Sequence, residues 1–202
     1  DHVAGMTRLE KGTISISATG PAHACSDFQA VEAFNRQYPN VHFKLLNNST
    51  IDSIQALKAG KIDMAIVSSA PLKGESPLKI KPLRSYHDIL IGGSKFQHLK
   101  GREMTLEELK DLPWISLTSG SITRDFLNQY FASQGLTFEP DIELATTDMI
   151  LPAVRHNLGI GFIPAEFASE DLRRETVFDI AAAEKLPERN IFLVYDTEYP
   201  QS

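Results

Sequence analysis

One pattern constrains this chain more than any other, because it runs twice. Each pass reads strand, hydroxyl-rich loop, helix, strand, polar loop, short helix, glycine, strand. The first pass covers Thr13 to Val67. Ile14 and Ile16 alternate with serines, Thr19-Gly20-Pro21 breaks the strand, and Cys25, Phe28, Val31, Phe34 and Tyr38 recur at helical spacing. Val41, Phe43 and Leu45 alternate next, then Asn47 to Thr50 supply loop and N-cap chemistry. Ile51, Ile54 and Leu57 mark a short helix, Gly60 sits at its C-terminal stop, and Met64 to Val67 is a buried strand.

The second pass covers Trp114 to Ile163. Trp114 to Leu117 is a strand, Thr118-Ser119-Gly120-Ser121 its loop, and Ile122, Phe126, Tyr130 and Phe131 a helical stripe ended by Gly135. Ile142 and Leu144 lie in a strand, Thr146-Thr147-Asp148 offer caps, and Ile150, Ala153 and Val154 line a helix read as ending at Gly159. Residue identities do not repeat, so the repeat is one of architecture. It predicts an α/β fold of two βαβαβ lobes, each a parallel sheet covered by helices.

Between the passes, Leu83 to Tyr86 and Asp88 to Ile91 look extended, and Thr105-Leu106-Glu107-Glu108 is a capping box. After the second pass come a helix, Ala165 to Leu172, and a late strand, Ile191 to Val194, expected to return to the first lobe. The predicted division is a linker end at 1–11, lobe I at 12–84 plus 180–202, and lobe II at 85–179. Two crossings, near Leu83 to Asp88 and Phe178 to Ala181, would form a two-strand hinge.

The 202 residues carry a net charge of −6, and no Lys/Arg cluster interrupts it. A segment with that balance lacks the basic face that displaces counterions from nucleic acid. The single cysteine, Cys25, excludes an intrachain disulfide. No apolar run is long enough to span a membrane, and Asp1 to Gly12 are too polar for the apolar part of a signal peptide. The six histidines show no metal-ligand spacing, so neither a metal nor a cofactor is expected.

In parallel α/β sheets, ligands bind outside the carboxyl ends of the strands. The residues there are Thr19, Gly20, Asn48, Ser49, Ser68, Ser69, Thr118, Ser119, Gly120, Ser121, Thr146 and Thr147. Several precede helices, whose free N–H groups and dipole favour anions. Ser, Thr, Asn and Asp are also ordinary helix caps, which is the competing explanation for any one loop. Their recurrence in both passes favours a ligand cleft between the lobes.

Some short motifs have plainer explanations than their letters suggest. Gly159-Ile160-Gly161 lacks the third glycine of a dinucleotide fingerprint, which makes Gly159 a helix end and Gly161 a place of close packing or backbone approach. Ser119-Gly120-Ser121 is no nucleophile elbow, since GxSxG is absent. Asp63 is read as orienting the turn before its strand.

The stretches GTISISATG, Phe34 to Pro39, Leu57 to Val67, Thr105 to Ile115 and Val154 to Pro164 occur in an order that resembles the effector-binding domain of LysR-type transcriptional regulators. Phe28 departs from the pattern, standing where the family often has proline. The resemblance implies a fold similar to type 2 periplasmic binding proteins. It implies a winged helix-turn-helix outside this chain, with DNA bound only through it. It implies a cytoplasmic protein, with effector contacts on Thr19, Asn48-Ser49, Ser68, Thr118 to Ser121 and the Gly161-Phe162 region. It further implies a homodimer through helices near 25–38 and 122–134, and a tetramer at full length.

Three functions compete. The first is a non-enzymatic sensor of a small anionic metabolite within a transcriptional regulator. The second is an exported solute-binding protein of the same fold. The third is an enzyme resembling a prephenate dehydratase domain; Thr123-Arg124-Asp125-Phe126 faintly suggests its Thr-Arg-Phe motif, but Asp125 interrupts it.

Overall fold

The computed structural model describes residues 12–20, 28–68 and 77–198. Cys25, His23 and Ser69 lie outside them, as do residues 1–11 and the first three positions of the helix expected at 25–38. The chain divides into two compact units, 1–84 with 190–202, and 85–189.

The first unit holds a five-stranded sheet. Its strands are β1 (Gly12–Ala18), β2 (Val41–Asn47), β3 (Met64–Ser68), β4 (Leu78–Tyr86) and β11 (Arg189–Asp196), in the order β2-β1-β3-β11-β4. β1 pairs parallel with β2 and β3. β11 pairs antiparallel with β3, so the late strand does return to this unit. Helices α1 (Phe28–Gln37) and α2 (Thr50–Lys58) connect the parallel strands. The alternation of β1 decides which face is which. Ile14 and Ile16 are buried beside Val41, Tyr38 and Phe43, whereas Ser17 faces α2 and meets Ser53. On the α2 side, Leu57, Ala65, Val67, Phe192 and Val194 form the apolar core. Asp63 acts as expected: its Oδ2 accepts from the Ser15 N–H at 2.7 Å, and its own N–H donates to the Ser15 carbonyl.

The second unit repeats the parallel arrangement. Strands β7 (Ile115–Leu117), β8 (Ile142–Leu144) and β9 (Gly161–Pro164) alternate with helices α4 (Ile122–Ser133) and α5 (Ile150–Arg155). β7 pairs parallel with β8, and a parallel bridge between Trp114 and Ile160 joins its other side to β9. The order second-first-third is that of β2-β1-β3. The sheets are not purely parallel, however. β5 (Asp88–Gly92) pairs antiparallel with both β9 and β10 (Phe178–Ala182), and β10 pairs parallel with β6 (Glu103–Met104). Residues 178–181, expected to be a hinge crossing, are therefore a strand of the second unit. That pairing carries 180–189 with this unit, whereas the expected division placed 180–202 in the first.

The capping box forms as expected. The Thr105 side chain accepts from the Glu108 N–H, and the Glu108 carboxylate accepts from the Thr105 N–H, which starts α3 (Leu106–Leu109). Helix α6 (Ala165–Arg173) follows β9. The end of α5 differs from expectation. The left-handed residue is Asn157, at φ 60°, and the Leu158 N–H reaches back to the Ala153 carbonyl. Asn157 Oδ1 accepts from the Lys95 N–H at 2.8 Å, which gives the asparagine a second task. Gly159 is glycine for another reason: a Cβ there would lie 2.6 Å from the Pro113 carbonyl oxygen.

Candidate functional site

In the first unit, the ends of β1, β2 and β3 carry two neighbouring sets of hydrogen-bonded hydroxyls. Thr19 is 4% exposed; its N–H donates to the Ile66 carbonyl, and its Oγ1 accepts from the Ser68 N–H at 3.3 Å. The Ser68 carbonyl accepts from Thr50 Oγ1 at 3.0 Å. Beside it, Ser17 Oγ lies 2.8 Å from Ser53 Oγ and accepts from Asn48 Nδ2 at 3.0 Å. Thr19, Asn48 and Ser68 are thus brought together, and Gly20 follows them half-buried. Ser49 has a different job. Its Oγ caps α2, accepting from the Asp52 N–H at 3.1 Å and donating to Asp52 Oδ2 at 2.8 Å.

Three residues essential to this arrangement, Ser17, Thr50 and Ser53, are not singled out by sequence reasoning. Their signal is present in outline. Ser17 is the polar half of an alternating strand, and Ser53 lies one turn beyond the Ser49 cap, on the side that meets it. Ser17 and Ser53 are fully buried, so each hydroxyl relies on the other. Ser17→Ala is expected to orphan both Ser53 and Asn48 and to cost about 1–3 kcal/mol in denaturant unfolding. A cost near zero would show that the network does not hold these loops.

In the second unit, Thr118, Ser119 and Gly120 are exposed, and Gly120 takes φ 90°. That left-handed turn brings Ser121 round to cap α4. Ser121 Oγ accepts from the Arg124 N–H at 3.1 Å and donates to the Thr118 carbonyl at 3.1 Å. The root of the loop is held from below. Arg124, 8% exposed, donates from Nη1 to the Leu117 carbonyl at 3.1 Å and to Glu143 Oε1 at 2.7 Å. Helix geometry leaves the N–H groups of Ile122 and Thr123 in α4, and of Thr50 and Ile51 in α2, without intrahelical partners.

Gly161 and Phe162 are not part of this loop. A Cβ on Gly161 would sit 3.0 Å from the Ile115 carbonyl oxygen, so this glycine lets β9 approach β7. Phe162 is 6% exposed and stacks on Trp114 at 5.6 Å. Strand alternation turns its side chain into the core. Thr147 is buried, and Thr146 makes no side-chain cap bond. Arg155 pairs with the half-buried Asp171, and Arg173 and Arg174 pair with Glu170 as exposed surface contacts.

Asp88 and Tyr130 are among the groups with displaced acidities. Burial pushes the Asp88 carboxyl above its ordinary range, an effect that Arg189 partly opposes. Burial raises the Tyr130 hydroxyl to about 12; it donates to the Glu184 carbonyl at 2.6 Å. Among the described residues no cluster of His, Cys, Asp and Glu is arranged to hold a metal ion, and no helix is long and apolar enough to cross a membrane.

Two α/β units with parallel centres, antiparallel extensions and hydroxyl-bearing loops at the strand ends define a class: the type 2 periplasmic-binding-protein-like fold. The regulatory domain of Synechocystis PCC6803 CcmR, solved in complex with 2-PG, superposes with a TM-score of 0.81 at 18% identity, over 95% of this chain and 91% of that one. Residues 7–202 match the LysR substrate binding domain, and the chain belongs to that family. It is 28% identical over 159 residues to the HTH-type transcriptional regulator CysB of Haemophilus influenzae, covering 78% of this chain and 48% of that protein. It is 24% identical over 176 residues to the HTH-type transcriptional regulator YeiE of Escherichia coli K12, covering 87% and 59%. The chain therefore spans about half the length of the curated relatives it matches. Those relatives are named as regulators, not as enzymes.

Proposed function

We propose that this chain is the effector-sensing domain of a bacterial LysR-type transcriptional regulator and that its effector is a small anionic metabolite. The observation that carries the reading is the Thr118–Ser121 loop. It presents two exposed hydroxyl side chains and a left-handed glycine immediately before a 12-residue helix. Free N–H groups and the helix dipole at that point favour an anion. Thr19, Asn48 and Ser68 form the corresponding set in the first unit, with Ser49 as a cap. The regulators among its relatives, and a structural neighbour that holds a small molecule, support the assignment.

DNA binding belongs to a helix-turn-helix segment outside this chain, and the working assembly is a cytoplasmic homodimer paired through α1 and α4, tetrameric at full length. The effector acts by differential affinity for two states of the domain, since a ligand that binds both equally shifts nothing.

Melting the chain against a library of small carboxylates, phosphate esters and sulfur oxyanions tests this. A true effector at 100 times its Kd adds about 2.7 kcal/mol, a rise of roughly 5–10 °C for a chain of this size. Ser119→Ala should weaken that rise while leaving the ligand-free melt unchanged. No stabilisation by any library member, or turnover of one, would sink the reading.

A further inference from the structure

We propose that Arg189 is a positioning residue that locks the first turn of α4 to both places where the chain passes between its two units. Arg189 is the last residue of the second unit and opens β11; Asp88 lies four residues into that unit and opens β5. Arg189 Nη1 donates to Asp88 Oδ2 at 3.3 Å, and Nη2 donates to Thr123 Oγ1 at 2.7 Å. The guanidinium lies 5.2 Å from the Tyr86 ring centroid and 4.8 Å from that of Phe126. Tyr86 belongs to the incoming strand β4, while Thr123 and Phe126 share one face of α4. One side chain at the start of the outgoing strand, 6% exposed, thus binds the incoming strand β4, the strand β5 and the helix that follows Thr118–Ser121.

Stability alone would not select this placement. The shorter of the two polar contacts is to a neutral hydroxyl in the first turn of a helix, the positive end of its dipole, where a cation is disfavoured. A buried ion pair is commonly matched or bettered by apolar residues of similar volume. What the guanidinium supplies and an apolar side chain does not is a fixed register between three elements at one point. Thr123 is two residues beyond Ser121, whose hydroxyl closes the Thr118 turn. A displacement of that turn is passed through Thr123 to Arg189 and on to both chain passages. The latch stands without a ligand; its use in sensing rests on the reading of Thr118–Ser121 as an effector loop.

Hydrogen exchange followed by mass spectrometry on the whole chain tests the latch. Thr123→Val keeps the shape and removes only the hydroxyl. Exchange is expected to quicken about threefold or more at residues 118–122, and also at 84–90 and 188–192. Thr123→Ser, which keeps the hydroxyl, should match the wild type. Should Thr123→Val fail to fold, Phe126→Leu removes the stacking alone and should quicken the same three segments. Quickening confined to residues 118–127, or a Thr123→Ser variant that behaves like Thr123→Val, overturns the proposal. Failure of every metabolite to raise the melting temperature would remove the effector reading and leave this result standing.

Discussion

Trp114→Ala is expected to cost the chain about 3–5 kcal/mol, the range for truncating a buried aromatic, and to lower its melting temperature by roughly 10 °C. Trp114 is 1% exposed and lies at the centre of a ring cluster. Phe131 and Phe138 meet it edge-on, at 5.4 Å and 5.5 Å, while Phe162 stacks on it. Each such pairing adds about 0.5–1.5 kcal/mol beyond the area buried. Its indole N–H also donates to the Leu109 carbonyl at 3.0 Å, a bond that alanine would lose. The backbone at Trp114 bridges to Ile160, so the same residue joins β7 to β9. Thermal and urea melts followed by circular dichroism measure the loss. A cost below about 1 kcal/mol, the scale of an ordinary surface substitution, would mean that the ring cluster is not the core of this unit.

Arg189→Met should cost about 3–5 kcal/mol at neutral pH, because it leaves the Asp88 carboxylate buried without a counter-ion. The pH dependence separates this from a packing defect. Burial already holds the Asp88 carboxyl above its ordinary value, and Arg189 is the strongest influence pulling it down. Removing Arg189 raises it further. A carboxyl whose folded pKa is raised contributes stability that is complete below its unfolded value and fades as pH rises through the folded one. The variant should therefore recover part of its stability on acidification toward pH 4, near the unfolded carboxylate value. Adding Asp88→Asn to the same chain should restore stability at neutral pH, since no uncompensated charge remains. A loss that is flat with pH and unrelieved in the double variant would assign the cost to packing alone.

The order of elements is legible in the sequence because period carries it. Alternation in TISISA, the helical stripe from Ile122 to Phe131 and the capping box at Thr105 all appear in the structure where local chemistry puts them. Long-range pairing is not legible. β10 is a single short strand whose partners, β5 and β6, are more than seventy residues away, and nothing in Phe178 to Ala182 announces them. The site shows the same division. Ser121 and Ser49 can be read as caps from their place before helices. Arg189, Arg124 and Ser53 cannot be tied to the loops they support, since those contacts exist only once distant segments meet. Gly159 and Gly161 are visible as glycines, but the carbonyls of Pro113 and Ile115 that require them are not. Phe162 is expected as an effector contact through the family resemblance alone; the parity of β9 turns its side chain into the core.

The strand order of the first unit bears on how the chain is made. β11 lies between β3 and β4, yet in chain order it follows every other described strand. Until residues 190–196 emerge, β3 has an open edge with Ala65 and Val67 ready to pair, and β4 has no neighbour in its own sheet. The second unit has no such wait, because all of its strands lie between Asp88 and Ala182. Chains cut short before Ile191 would carry an unguarded sheet edge, a template for aggregation rather than a smaller version of the same protein.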